Sequence, residues 1–165
     1  MINKLHVAMI ELYSQDAPRI QHFCKVHSYA KLIAELENID ADTLFILEAA
    51  ALTHDIGIHY CEENFGDCNG KLQEQYGPDI AKRLLDDLHF SERVSERVQY
   101  LIAHHHTYEN IDSMDYQILV EADFLVNLYE DGPSDQAIEH AYQKIFKTDA
   151  GKKICREMFH LAEGT

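Results

Sequence analysis

The chain has 165 residues, enough for one domain around one core, and 46% of them are apolar, which argues against disorder. Its formal net charge is −15, from 14 basic and 29 acidic residues, and no cluster of Lys and Arg is available to follow a phosphate backbone, so a nucleic-acid polymer is not expected as a partner. No apolar run approaches the roughly 20 residues that a bilayer demands, no basic and apolar leader opens the chain, and Cys24, Cys61, Cys68 and Cys155 form no C-x-x-C pair, so a cytoplasmic protein with reduced thiols and no membrane contact is expected.

The pattern is helical nearly throughout, because strand-type alternation is absent and seven glycines and three prolines are too few for an all-β chain. Asp16-Ala17-Pro18 predicts an N-cap with an early-turn proline, opening a helix to about Asn38. Asp40 or Asp42 opens the next, which ends at His54-Asp55 with Gly57 as its stop. Residues from about 58 to 70, with Gly66, Gly70 and three acids, read as a loop. Gly77-Pro78 sets up a helix carrying Ile80, Ala81, Leu84, Leu85 and Leu88. Ser91 caps another, which ends in His104-His105-His106. Asp112 or Ser113 caps a strongly apolar helix from Tyr116 to about Tyr129. Gly132-Pro133-Ser134 breaks that helix and caps the following one, and Thr148 and Asp149 start a last helix over about 149–163. The expected architecture is an all-α, single-domain multi-helix bundle over residues 1–165, with a core of about 16–130 and the helices of 134–163 packed on it.

Several polar residues fall where only apolar ones are expected. His54 and Asp55 close the apolar stretch Leu44 to Leu52, and a bare carboxylate there costs several kcal/mol or more unless something neutralises it. His22 shares a helical face with Val26, Tyr29 and Ile33; His27 lies on another face and is the fallback for the same role. Asp123 sits in Ile118-Leu119-Val120-Glu121-Ala122-Asp123-Phe124-Leu125-Val126, apolar nearly all round and hence buried, whereas Glu121 is less constrained and is expected to face solvent. An arginine partner is the structural alternative for Asp123. Together His22, His54, Asp55 and Asp123 make two imidazoles and two carboxylates, a set suited to one divalent Mn, Fe, Co, Ni or Zn. Their wide spacing fits ligands gathered from three helices, and an N/O set leaves positions open for water and substrate.

The order Arg19-x-x-His22, Val26, Ala30, then His54-Asp55-Ile56-Gly57, Ile102-x-x-His105 and Ala122-Asp123 resembles the HD superfamily of metal-dependent phosphohydrolases, over roughly residues 19 to 129. Gly77-x-x-Ile80-Ala81-x-x-Leu84-Leu85 resembles the family's mid-domain helix. The resemblance implies an HD-domain-like all-α fold, a divalent metal at those four residues, and hydrolysis of a phosphate ester. Two positions depart from the pattern. Ile58 stands where nucleotidase-like members place the acid that helps activate water, which counts against that branch. Gln73 stands where binuclear members supply a further His, so one metal is favoured, with His104, His105 and His106 as the ligand source for a second.

These readings give expected roles. Asp55 or Glu74 orients the attacking water, Glu74 alternatively supporting from behind the ligands, with Glu62 and Glu63 as further candidates. Arg19, one turn before His22, and His105, the triplet member aimed inward by its spacing from Ile102, neutralise charge on a small phosphate-containing anion. A non-catalytic module that binds metal or nucleotide, and a di-iron oxygenase that enlists the His triplet, are the competing functions.

Overall fold

In the computed structural model, which describes residues 1–161, every regular element is an α-helix. The described helices are α1 (Ile2–Leu12), α2 (Ala17–Leu36), α3 (Ala41–Thr53), α4 (Ile58–Phe65), α5 (Gly70–Asp87), α6 (Glu92–Ile102), α7 (Met114–Glu130), α8 (Asp135–Ile145) and α9 (Asp149–Phe159). At the centre α2 packs on both α3 and α7. Flanking them, α1 and α6 cover α3, α5 lies on α6 with α4 beside it, and α8 and α9 close the other side against α7.

The centre forms there because its sequence has no polar side to show. In α3 every residue from Ile46 to Thr53 is buried, and the run Ala49-Ala50-Ala51 lets neighbouring helices approach closely. In α7 Asp115 to Asp123 are all buried, including four polar or charged residues. Side-chain caps fix several helix starts: Asp16 accepts from the Arg19 N–H (3.3 Å), Asp40 from Asp42 and Thr43 (3.1 and 3.0 Å), Asn69 from Leu72 (3.2 Å) and Thr148 from Gly151 (2.9 Å).

The structure departs from the sequence reading at several places. Helix α1 was not anticipated, although Leu5, Met9 and Tyr13 recur at helical spacing and are fully buried. The expected loop at 58–70 contains α4, ended by Gly66 in the left-handed region (φ 73°). Helix α5 starts at Gly70, so Gly77-Pro78 lies inside it. Gly57 is no left-handed stop (φ −79°); it N-caps α4 at a close crossing, where an added Cβ would come 3.2 Å from the Gly77 backbone. Helix α9 ends at Phe159, where His160 is left-handed (φ 52°), short of the expected 163, and α6 ends at Ile102, before the His triplet expected to close it.

Glu121 is the other correction, since it is fully buried. Its Oε1 accepts from Gln117 Nε2 (2.7 Å) and from the backbone N–H groups of Lys147 and Thr148 (2.6 and 2.9 Å), and its Oε2 accepts from the Thr148 hydroxyl. A carboxylate at the α9 N-terminus gains from unpaired N–H groups and the helix dipole, which offsets desolvation. A second clamp joins α6 to the start of α7: the Arg97 guanidinium donates to both oxygens of Asp115 (2.9 and 2.8 Å) and of Asp112 (2.9 and 2.7 Å).

Glu121→Ala is expected to lower unfolding free energy by about 3 kcal/mol, because four donors lose their acceptor. Gly151→Ala should also destabilise, since its Cβ would stand 1.9 Å from Glu121 Oε2; chemical denaturation measures both. Burial raises the Asp115 pKa, but bonds from Arg97 and Ser113 outweigh that and hold it below the ordinary 3.8. Its stabilisation is therefore present above that value and lost as pH falls through the lower folded-state pKa. The stability gap between the native chain and Asp115→Asn should be widest near neutrality and close on acidification, read from urea midpoints against pH.

Candidate metal centre

Two helices and the turn after α3 bring the ligand candidates together. Helix α2 presents His22, the turn presents His54 and Asp55, and α7 presents Asp123. His22 Nε2 lies 3.2 Å from His54 Nε2 and 3.2 Å from Asp123 Oδ1, and His54 Nε2 lies 3.5 Å from that oxygen. Asp55 Oδ2 is 3.5 Å from His22 Nε2 and 3.4 Å from His54 Nε2, while its Oδ1 faces His105 Nε2 at 3.7 Å. The Tyr13 hydroxyl donates to the Asp55 carbonyl (2.8 Å) and fixes the turn. Among the described residues no Lys or Arg pairs with Asp55 or Asp123, so the arginine alternative for Asp123 is not what the bundle uses.

The ring nitrogens show what this arrangement wants. His54 Nδ1 donates to the Ala51 carbonyl (2.9 Å), His105 Nδ1 to the Ile102 carbonyl (2.7 Å), and His22 Nδ1 to Glu130 Oε2 (2.8 Å). Those acceptors fix the proton on Nδ1, so each neutral ring turns a bare Nε2 lone pair inward. Two lone pairs 3.2 Å apart repel unless a cation sits between them. His105 Nε2 is buried with no hydrogen-bond partner, a costly state that a ligand relieves.

Electrostatics agree. Burial opposes a proton on His54, but Asp55 and Asp123 outweigh it and push its pKa well above the ordinary histidine range. For His22 burial also acts downward, and the bond from Asp123 prevails to raise it. Burial would raise Asp55 and Asp123, yet the surrounding imidazoles hold both carboxyls below their ordinary range. The pocket thus demands positive charge, and the residues fit a divalent cation: His22, His54 and Asp123 form one group that could hold a metal, and Asp55, His105 and His106 form a second.

The remaining candidates are distributed around this centre. Arg19 is tied to Asp16 and Glu62 (both 2.5 Å), across the start of α2 and α4. Glu74 Oε1 accepts from the His106 N–H and the Thr107 hydroxyl (both 3.0 Å), so it supports the His-bearing turn from α5. His27 pairs with Glu48 (3.0 Å) away from the cluster. His104 lies over Tyr100, 4.2 Å between ring centres, with its Nδ1 on the Tyr100 carbonyl. His106 turns inward, its Nε2 donating to Gln73 Oε1 (3.1 Å), and burial, followed by the neighbouring His105, lowers its pKa to about 4. Cys61 and Cys68 are free thiols.

Sequence reasoning missed Glu130 and Tyr116. Glu130 fixes the His22 tautomer while its Oε1 pairs with Lys25 (2.5 Å). The Tyr116 hydroxyl reaches the carbonyls of His104 (2.6 Å) and Thr107, clamping the His-bearing turn. Both were signalled by spacing, since 116, 123 and 130 fall on one α7 face, each pair seven residues apart.

A helical bundle gathering two histidines and two aspartates from α2, α7 and the turn after α3 defines a class, and the sequence match agrees. The chain belongs to the HD domain family, whose model matches residues 19–156. The crystal structure of a predicted HD superfamily hydrolase from an uncultured Thermotogales bacterium has the same fold, with a TM-score of 0.67 and 24% identity over 96% of this chain and 84% of that one. No curated protein matches this chain.

Removing Glu130 leaves His22 free to change tautomer and rotate. Glu130→Ala is expected to weaken divalent-metal binding by about 10–100-fold, with Glu130→Gln less affected because an amide oxygen still accepts the Nδ1 proton. Equilibrium dialysis against manganese(II) measures this.

Proposed function

We propose that the protein is a metal-dependent phosphohydrolase acting on a small phosphate-containing anion. The observation that carries this reading is the set of bare Nε2 lone pairs on His22 and His54, meeting the Asp55 and Asp123 carboxylates in an interior with no paired Lys or Arg. The hydrolase name of the Thermotogales protein supports the reaction class.

His22, His54, Asp55 and Asp123 hold the metal. A divalent ion there supplies Lewis acidity and brings the pKa of a bound water toward about 7. Asp55 orients the attacking water, since its two oxygens face different neighbours, His22 and His54 on one side and His105 on the other. His105 offers a nitrogen without a protein partner to the phosphate side. Glu74 and Tyr116 act on reaction geometry through the turn they hold. Arg19 already bridges two carboxylates, and a phosphate recruiting it would have to displace Asp16 or Glu62.

A second reading has a specific observation behind it. Asp55, His105 and His106 form a ligand group of their own, sharing Asp55 with the first. Gln73 holds the His106 ring through Nε2, which leaves Nδ1 available. A second cation, which Asp55, His105 and His106 would hold, would supply further Lewis acidity to the same hydrolysis.

Elemental analysis and a hydrolysis screen over nucleotides and phosphate esters, with Mn, Co and Ni, decide between these. Asp55→Ala and Asp123→Ala should lose bound metal and at least about 100-fold in turnover. Metal content unchanged in Asp55→Ala would overturn the assignment. Two equivalents falling to one in His106→Ala would select the two-cation form.

A further inference from the structure

A groove of about 440 Å³ lies between the first turn of α5 and the turn that carries His106, within the size range of small-molecule sites. Its walls are Asn69, Gly70, Lys71, Glu74, His106 and Thr107. His106 also belongs to the group it forms with Asp55 and His105, so groove and metal centre share a wall. The shared ring sits directly on Gly70, where an added Cβ would come 2.8 Å from the imidazole Cγ.

Charge marks out one residue of this groove. Arg19 is neutralised by Asp16 and Glu62, and Lys25 by Glu130. Lys71 has no carboxylate within ion-pair distance among the described residues, in a chain whose net charge is −15. Glu74 is three residues further along the same helix, the usual place for a partner, but its Oε1 is held by the His106 N–H and the Thr107 hydroxyl. Lys71 lines the groove together with Asn69, whereas the Thr107 hydroxyl is already given to Glu74.

We infer that this groove is the leaving-group subsite and takes a second phosphate, adjacent in the substrate to the one hydrolysed, with Lys71 selecting for it. This rests on the phosphohydrolase reading above. His106 lines both groove and centre, which makes the second anion the immediate neighbour of the reacting phosphate and the substrate class a phosphoanhydride. In the step, water oxygen bonds to the terminal phosphorus and the bridging P–O bond breaks. The bond's electron pair stays on the bridging oxygen, which becomes a terminal oxygen of the leaving phosphate beside Lys71. One water proton remains on the released orthophosphate and the other passes to solvent.

The test is calorimetric titration of the full-length, manganese(II)-loaded chain with inorganic pyrophosphate and with orthophosphate, for the native protein, Lys71→Ala and Lys71→Arg. The native protein should bind pyrophosphate at least about tenfold more tightly than orthophosphate. Lys71→Ala should lose about tenfold on pyrophosphate and under about threefold on orthophosphate, and Lys71→Arg should retain the preference. Chelation of free metal by pyrophosphate affects all three proteins equally, so differences between them report the side chain. Equal affinities in the native protein, or an undiminished preference in Lys71→Ala, would overturn the subsite while leaving the phosphohydrolase reading intact. A chain that holds manganese but binds neither anion would overturn both.

Discussion

Bare imidazole nitrogens and carboxylates face one another inside this bundle, and the interior supplies no fixed positive charge to reconcile them. A carboxylate left without a counter-charge in such surroundings costs several kcal/mol, more than a marginally stable domain of this size can carry many times over. The arrangement survives because the three imidazoles and the Asp55 turn are held from behind. Ala51, Ile102 and Glu130 fix the protons of His54, His105 and His22 on the far side of each ring, and Tyr13 fixes the peptide of Asp55. Cation binding and side-chain orientation are two aspects of one electrostatic requirement.

Helix α7 organises much of this support. Tyr116, Asp123 and Glu130 line up along its length, so one rigid element holds the His-bearing turn, contributes a ligand candidate, and steadies His22. Arg97 locks the start of α7 to α6 through Asp112 and Asp115, which closes the segment between them around His104, His105 and His106. The turn is therefore fastened by α5, α6 and α7 together, although no regular structure runs through it.

Much of the plan was legible in the chain itself. The burial of α3 and α7 follows from runs with no polar face, and the starts of α2, α3, α8 and α9 follow from capping residues. His22, His54, Asp55 and Asp123 stood out because each broke an otherwise apolar pattern. Less could be read where long-range partners decide the outcome. Glu121 looked free because the N–H groups it accepts come from Lys147 and Thr148, far along the chain. Glu74 and Arg19 were judged by residue type, but their carboxylate and guanidinium are engaged by groups that only the folded bundle brings near. Gly57 and Gly77 read as helix punctuation because a glycine that permits close backbone contact looks the same in sequence as one that ends a helix.

The buried carboxylate of Glu121 has a consequence for where the molecule can be divided. It joins the beginning of α9 to α7 two residues before Asp123. Deleting the chain from Lys147 onward, α9 included, would strip that acid of its backbone and hydroxyl donors, beside the segment that presents Asp123. The smallest fragment able to keep its ligand geometry must therefore extend past the helices that carry the histidines and aspartates, and the terminal helix is as much a part of the working unit as they are.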